Sequence, residues 1–102
     1  MTTRGEGLRR VESEIAREKA AALGRAGERL EDALAALEAV TRAFAGPADA
    51  TRRAALREAY RVARVRVRTA RLHLLIQREA LGLRSHRMVD QQFPEPAPPP
   101  WL

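Results

Sequence analysis

The sequence predicts an all-α protein, an antiparallel hairpin of two long helices that self-associates into a four-helix bundle and ends in an extended Pro-rich tail. Three observations predict it. Apolar residues recur at steps of three or four along two long stretches, a Gly-Pro pair separates them, and five prolines fall in the last nine residues. A chain of 102 residues without cysteine has no disulfides, so its small core must be tightly packed or shared with another chain.

The first helix is predicted over residues 8–45, after a flexible N-terminus at 1–7. Its apolar positions at helical spacing are Leu8, Val11, Ile15, Leu23, Ala26, Leu30, Leu34, Leu37, Val40 and Phe44. A glycine costs about 1 kcal/mol relative to alanine inside a helix. The alternative to one long helix is therefore that Gly24 ends a first helix and that a second helix begins after Gly27. We expect one continuous helix, because the apolar stripe keeps its phase across both glycines.

The break at residues 44–49, Phe-Ala-Gly-Pro-Ala-Asp, leads into a second helix predicted over 50–81. Asp49 or Thr51 can cap its start, and Gly82 follows its end. A connection this short makes the two helices antiparallel neighbours. We expect a short turn or helix over 85–90, capped by Ser85, so that the helical domain spans 8–90 and the extended tail spans 91–102.

The second helix is rich in arginine, and its segment RVARVRVRTAR at 61–71 alternates locally like a β-strand. Across 55–81 the apolar residues follow helical steps, so we interpret the segment as helix. Five arginines then form one stripe away from the main apolar face: Arg57, Arg61, Arg64, Arg68 and Arg71. This arginine stripe either contacts a nucleic-acid backbone or is a solvated face. In the second case its arginines pair with carboxylates of the first helix, or their stems cover apolar surface. We favour the second hypothesis, because no aromatic residue lies among these arginines to stack on a base.

A polar cluster is expected at the end of the hairpin distant from its loop. If the loop is centred near residues 47 and 48, Lys19 lies level with Gln77 within the apolar stripe, so it needs a carboxylate from Glu79 or from a partner chain. The polar cluster fixes the register of a bundle, or it binds a partner or a small anionic ligand. Its members are Glu18, Lys19, Gln77, Arg78, Glu79, Arg84 and His86.

Two features predict a homodimer or another homo-oligomer. Val65, Leu72 and Ile76 form a second apolar face on the second helix, which a single partner helix cannot cover. A small-residue strip on the first helix would let the second helix or a second subunit approach closely; it comprises Ala16, Ala20, Gly24 and Gly27. We expect two hairpins to associate, and the alternative is that a larger protein supplies the missing surface.

Catalytic residues, cofactors and metal sites are not expected. His73 and His86 lie in different segments without a Glu-x-x-His pair, and Ser13 and Ser85 have no acid-base partners. The N-terminal segment lacks the apolar core of a signal peptide, and no run approaches membrane-spanning length. We therefore expect a cytoplasmic protein that does not bind membranes.

Two segments carry a resemblance to a known family: EKAAALGRAGERLEDALAAL at 18–37 and QREALGLRSH at 77–86. They resemble the signature segments of a small uncharacterised bacterial family of helical proteins, a domain of unknown function. The resemblance covers about a third of the chain and implies a short helical protein without an assigned activity. It draws attention to the polar cluster and to Gly24, Gly27 and Gly82, whereas the arginine stripe and the tail lie outside it.

The sequence thus predicts a non-enzymatic interaction or scaffold protein. Its tail offers Trp101 and Leu102 as an apolar anchor for a protein partner, or it folds back on its own hairpin or contacts nothing. One alternative is a nucleic-acid-binding accessory protein that uses the arginine stripe. Another is a sensor of a small anionic ligand built around Lys19, Gln77 and Glu79.

Overall fold

The computed structural model describes residues 3–102, and within that range it contains three helices and no strand. Helix α1 spans Arg4–Ala43, α2 spans Ala50–Ala80 and α3 spans Arg87–Gln92. The two long helices pack against each other in a molecule 73 Å long and 24 Å wide, which confirms the predicted all-α pair. Helix α1 is continuous through Gly24 and Gly27, so Gly24 does not end a first helix.

Helix α1 begins earlier than predicted because a capping box closes its first turn. The Thr3 side chain accepts a hydrogen bond from the backbone N of Glu6 at 3.2 Å, and the Glu6 carboxylate accepts one from the backbone N of Thr3 at 3.2 Å. The segment 1–7, predicted to be flexible, is therefore helical from Arg4 onward. Its first two residues lie outside the described residues.

Helix α2 begins and ends at the residues that the sequence indicates. The Asp49 carboxylate caps its start by accepting a hydrogen bond from the backbone N of Arg52 at 2.8 Å. At its end, Gly82 N donates to Glu79 O at 2.9 Å and Leu83 N donates to Arg78 O at 3.0 Å, the two bonds of a Schellman motif. Gly82 has a φ of +82°, a conformation in which a side chain would be strained.

Helix α3 starts two residues later than predicted and lies against the hairpin. Its N-cap is His86, which makes no capping bond through its side chain, so the prediction that Ser85 caps this helix is wrong. The Ser85 carbonyl instead accepts a hydrogen bond from Arg78 Nη2 at 2.8 Å, which ties the turn to the end of α2. Val89 and Phe93 are buried and join α3 to the core.

The core lies in the half of the hairpin next to the loop. Its members from the two long helices and the loop are Ala26, Leu30, Ala33, Leu37, Phe44, Leu56, Tyr60, Ala63, Val67, Ala70 and Leu74. Of residues 3–25, none is buried. Length accounts for the first part of this stretch: α1 has 40 residues and α2 has 31, so the first turns of α1 have no α2 residues opposite them.

Candidate interaction surfaces

Helix α2 carries an open apolar face on the side away from α1. We call it the α2 seam, and it comprises Val62, Val65, Thr69, Leu72 and Ile76. Its apolar side chains are about half exposed, from 49% for Val65 to 56% for Leu72. The alternating steps of three and four residues are those of a coiled-coil heptad. The interface residues predicted from the sequence thus share one face outside the core, and that face has the spacing of an uncovered helix-helix contact.

Basic residues flank the α2 seam. The heptad positions e and g, which lie beside its apolar residues, are occupied by Arg61, Arg66, Arg68 and His73. Arg61 pairs with Glu58 at 2.7 Å; its hydrogen bond, and then its charge, hold the pKa of Glu58 below its usual value. The same contacts raise the pKa of Arg61. Of the ion pairs formed within residues 3–102, none involves Arg66 or Arg68, so the flanks keep their positive charge.

The N-terminal turns of α1 project beyond the end of α2, and we call residues 4–15 the α1 overhang. Ile15 lies with Ala80 and Leu81 along a groove of about 310 Å³, so α2 ends near this turn. Val11 and Leu8, one and two turns further, are 51% and 60% exposed. These residues continue the core-facing stripe of α1, so they face the space in line with α2. The sequence shows the stripe but not that α2 stops short of it.

The glycines of the small-residue strip do not contact α2, although Ala16 lines the groove at the end of α2. Ala16, Ala20 and Gly24 are exposed, and a β-carbon on Gly24 or Gly27 would have no neighbour within 4 Å among the described residues. The strip lies beside the face of α1 that packs on α2, rather than on it. The expected close approach of the second helix is therefore not made at Gly24 or Gly27, whereas an approach by a second subunit stays a prediction.

The polar cluster is divided among several grooves. Gln77 shares a groove with Ala22, about one turn from the predicted level of Lys19. Lys19 is exposed and lines the groove at the end of α2. Glu79 pairs with His86, Oε1 to Nε2 at 3.1 Å, and not with Lys19. The predicted pairing of Lys19 with Glu79 is therefore not made, and Lys19 is exposed at the end of α2. A carboxylate from a partner chain stays a prediction.

The other members of the polar cluster surround the turn after α2. Arg84 lines a groove of about 400 Å³ with Glu79. Arg78 Nε and His86 Nδ1 are buried and have no hydrogen-bond partner within the described part of the chain. Glu18 is exposed on α1. The structure therefore gathers the C-terminal members of the cluster at one turn, and it separates them from Glu18, Lys19 and Gln77.

The arginine stripe holds the C-terminal part of the chain. Arg71 Nη2 donates to Phe93 O at 2.7 Å, and Arg71 Nη1 pairs with Asp90 at 3.4 Å. Arg57 Nη2 donates to Trp101 O at 3.4 Å. Residues 87–102 therefore run back along α2 toward the loop. The carboxylates of α1 that were expected to pair with the stripe do not do so within residues 3–102, because this C-terminal segment lies along the same side of α2.

The other arginines of the stripe have different neighbours. Arg64 lies over the Tyr60 ring at 5.9 Å from the centroid, and Arg61 is paired with Glu58 as described above. Arg68 lines a groove of about 260 Å³ with Leu102. The stripe is thus partly occupied by its own chain, which reduces the surface that it can offer to a phosphate backbone.

Trp101 fixes the C-terminal segment at the loop end of the hairpin. Its ring centroid lies 4.3 Å from that of Phe44, and its Nε1 donates to Phe44 O at 3.0 Å. The guanidinium groups of Arg53 and Arg57 lie 5.2 and 5.4 Å from the centroid of the ring. These contacts fit the hypothesis that the tail folds back on its own hairpin. Leu102 remains half exposed, and a protein partner for the tail stays a prediction.

A second cationic surface, which the sequence reasoning missed, lies on the side of the hairpin away from the arginine stripe. Two adjoining grooves of about 360 and 310 Å³ share Arg29 and His73; the first is also lined by Arg66 and the second by Arg25. We call them the cationic groove. Neither groove is lined by a carboxylate. The available signal was the spacing of Arg25 and Arg29, four residues apart beside the core face of α1.

Comparisons with protein families, with curated proteins and with solved structures find no match for this chain. The resemblance to an uncharacterised bacterial family therefore stays a prediction. Within residues 3–102 no group of acidic and histidine side chains is arranged to hold a metal ion. None of the described helices is both long enough and apolar enough to cross a membrane.

Proposed function

We propose that the protein is a non-enzymatic interaction protein that associates with itself through apolar helix faces. The α2 seam carries this proposal, because four apolar side chains at heptad spacing lie about half exposed outside the core. A contiguous apolar stripe of this kind is typical of a protein-protein contact. Covering it with a second helix would remove these side chains from water. Full burial of an exposed side chain contributes about 1.5–3 kcal/mol, and these are already half buried, so each would contribute about half of that.

The small core supports the same proposal. Helix α1 has 40 residues, yet its buried residues are only Ala26, Leu30, Ala33 and Leu37. Small chains bury a limited fraction of their surface, and those without disulfides or metals often gain stability by oligomerisation. A second copy would supply apolar surface that this chain does not supply to itself.

We expect light scattering during size exclusion to give about twice the 11.4 kDa chain mass. The mass should be the same at low and high salt, because apolar contacts are not screened by ions. A Leu72→Glu variant should elute as a monomer at the same concentration, since a carboxylate buried in the α2 seam would lose its hydration.

The matched control is Met88→Glu, which places the same charge on α3 at a side chain that is 65% exposed. This variant should keep the dimer mass. A wild-type chain that stays monomeric across the accessible concentration range, and that Leu72→Glu does not alter, would contradict the proposal.

The cationic groove favours a second candidate function, binding of a nucleic-acid backbone. Arginines along a groove can follow successive phosphates, and the chain carries a formal net charge of +6. The arginine stripe is less suited to this task, because Arg57 and Arg71 hold the C-terminal segment. Arg25, Arg29 and Arg66 are therefore the residues that we assign to phosphate contact in this candidate function.

This second function predicts that affinity for duplex DNA or RNA falls steeply with salt. Replacing Arg25, Arg29 and Arg66 together by glutamine should reduce the slope of log affinity against log salt by about three. The control replaces Arg9, Arg10 and Arg17, which removes the same net charge from another part of α1. Equal losses of affinity in the two triple variants would show that only net charge matters and would exclude the groove as the binding site.

A further inference from the structure

The flanks of the α2 seam disfavour the pairing of two α2 helices with each other. In a parallel pair the heptad places Arg61 against Arg66 of the second copy, and in an antiparallel pair it places Arg61 against Arg68. Like charges at these flanking positions repel each other and disfavour the pair. The carboxylate nearest to these positions, on Glu58, is already paired with Arg61. A better partner for the seam is a helix whose apolar face is flanked by carboxylates.

The α1 overhang is such a helix. Leu8, Val11 and Ile15 repeat the spacing of Thr69, Leu72 and Ile76. Glu12 and Glu14 take the same heptad positions beside this face that Arg66 and Arg68 take beside the α2 seam. Neither carboxylate belongs to an ion pair formed within residues 3–102. The two apolar faces therefore match in spacing and carry opposite charges along their edges.

The position of the α1 overhang allows two copies to make the same contact at once. Its apolar face looks into the space in line with α2, beyond Ala80, whereas the α2 seam faces away from α1. Consider a second hairpin placed end to end with the first and related to it by a two-fold axis. The C-terminal half of its α2 would fill that space. Its overhang would then lie on the first α2 seam, so the contact is reciprocal and the dimer closes.

The lengths fit this arrangement. When the overhang packs parallel to the second α2 with Leu8 level with Thr69, Ile15 is level with Ile76, and Glu12 faces Arg68. Ala80 and Leu81, at the end of α2, line a groove with residues of α1 from Glu12 to Lys19, so α2 of the first copy ends along this stretch. The second α2 would end level with Lys19, so the ends of the two α2 helices would meet beside the same stretch of α1.

We propose that the α1 overhang docks on the α2 seam of a second copy of this chain, and reciprocally, to form an end-to-end two-fold dimer. The inference rests on the proposed self-association and names the surfaces that it uses. It replaces the side-by-side pairing of two α2 faces with a contact between unlike faces. Each overhang contributes Leu8, Val11 and Ile15, and each seam contributes chiefly Leu72 and Ile76.

Disulfide trapping tests this contact directly, because the chain has no cysteine of its own. A disulfide requires Cα atoms about 4.4–6.8 Å apart, so it reports close contact between two chosen positions. Chains carrying Val11→Cys and chains carrying Leu72→Cys are mixed and oxidised with glutathione disulfide. We expect the mixture to form covalent dimers at least tenfold more than either variant alone, since only a mixed dimer brings the two thiols together.

The control mixes Val11→Cys with Met88→Cys, an exposed position on α3 that the proposed contact does not involve. It should give only the background of random collisions. Efficient cross-linking of Leu72→Cys chains alone would show that two α2 seams meet, and this would overturn the inference while the proposed self-association stands. The inference is also overturned, and the proposed self-association again stands, if the mixture of Val11→Cys and Leu72→Cys chains gives only background cross-linking although light scattering shows a dimer. A monomeric mass would overturn both proposals.

Discussion

Replacing Leu30 by alanine is expected to lower the free energy of unfolding by about 3 kcal/mol. Leu30 is 0% exposed and lies in the stretch of α1 that packs against α2. Alanine would lose the transfer free energy of the removed carbons and leave a cavity that two stiff helices cannot close completely. Single domains are stable by about 5–15 kcal/mol, so this loss is a large fraction of the total.

Urea denaturation followed by circular dichroism measures the effect, and Met88→Ala is the control. Met88→Ala removes the same number of heavy atoms as Leu30→Ala, but Met88 is 65% exposed, so its variant should change the free energy of unfolding by less than about 0.5 kcal/mol. Equal midpoints for Leu30→Ala and the wild-type chain would mean that the hydrophobic core does not lie where α1 and α2 meet.

The helix ends could be predicted from the sequence because their signals are local. Gly82 adopts a positive φ, and the Asp49 carboxylate accepts a hydrogen bond from the backbone N three residues ahead of it. Both effects need only neighbouring residues. The start of α1 was also encoded locally, in Thr3-x-x-Glu6, a capping-box pattern. It was missed because the prediction followed apolar spacing, which begins only at Leu8.

The level of Lys19 could not be predicted, because register depends on how the loop turns. A loop centred near residues 47 and 48 would place Lys19 level with Gln77. Instead, Gln77 lines a groove with Ala22 and Lys19 lines another with Ala80, a shift of about one turn between the two helices. One turn of a helix is 5.4 Å, enough to separate Lys19 from Gln77. The same shift hides the α1 overhang, since apolar periodicity alone does not show where the opposite helix stops.

The partners of the arginine stripe were also beyond the sequence. Composition indicates that residues 94–102 cannot be helical, but it carries no information about which surface an extended segment contacts. The contact of Arg71 with the carbonyl of Phe93 joins residues 22 positions apart. Spacing rules describe one helix or one turn, so contacts of this kind appear only when the three-dimensional arrangement is known.

Replacing Trp101 by alanine is expected to lower the free energy of unfolding by about 2 kcal/mol. The variant loses the contact with Phe44, where an aromatic pair contributes about 0.5–1.5 kcal/mol beyond burial of its area. It also loses the hydrogen bond to Phe44 O, worth about 1 kcal/mol, and the approach of Arg53 and Arg57 to the ring. Denaturation followed by circular dichroism measures the loss.

Two further variants separate the parts of this effect. Trp101→Phe keeps an aromatic ring against Phe44 but has no N–H donor, so we expect it to lose about half as much as Trp101→Ala. Leu102→Ala changes the neighbouring residue, which is half exposed, and should leave stability unchanged. Identical denaturation curves for Trp101→Ala and the wild-type chain would show that the tail is not held by this residue.

Limited proteolysis should show which part of the chain Trp101→Ala releases. Residues 94–102 lose the ring that packs on Phe44 and keep the weaker contact of Arg57 with the carbonyl of residue 101, so cleavage there should accelerate. Helix α3 should stay protected, because Val89 and Phe93 are buried and Arg71 still holds Phe93 O. This outcome bears on the hypothesis that the tail binds another protein.

A partner that uses Trp101 must first displace it from Phe44, so its affinity should rise in a Phe44→Ala chain. Equal affinity of the partner for the wild-type chain and for Phe44→Ala would show that the partner does not use Trp101.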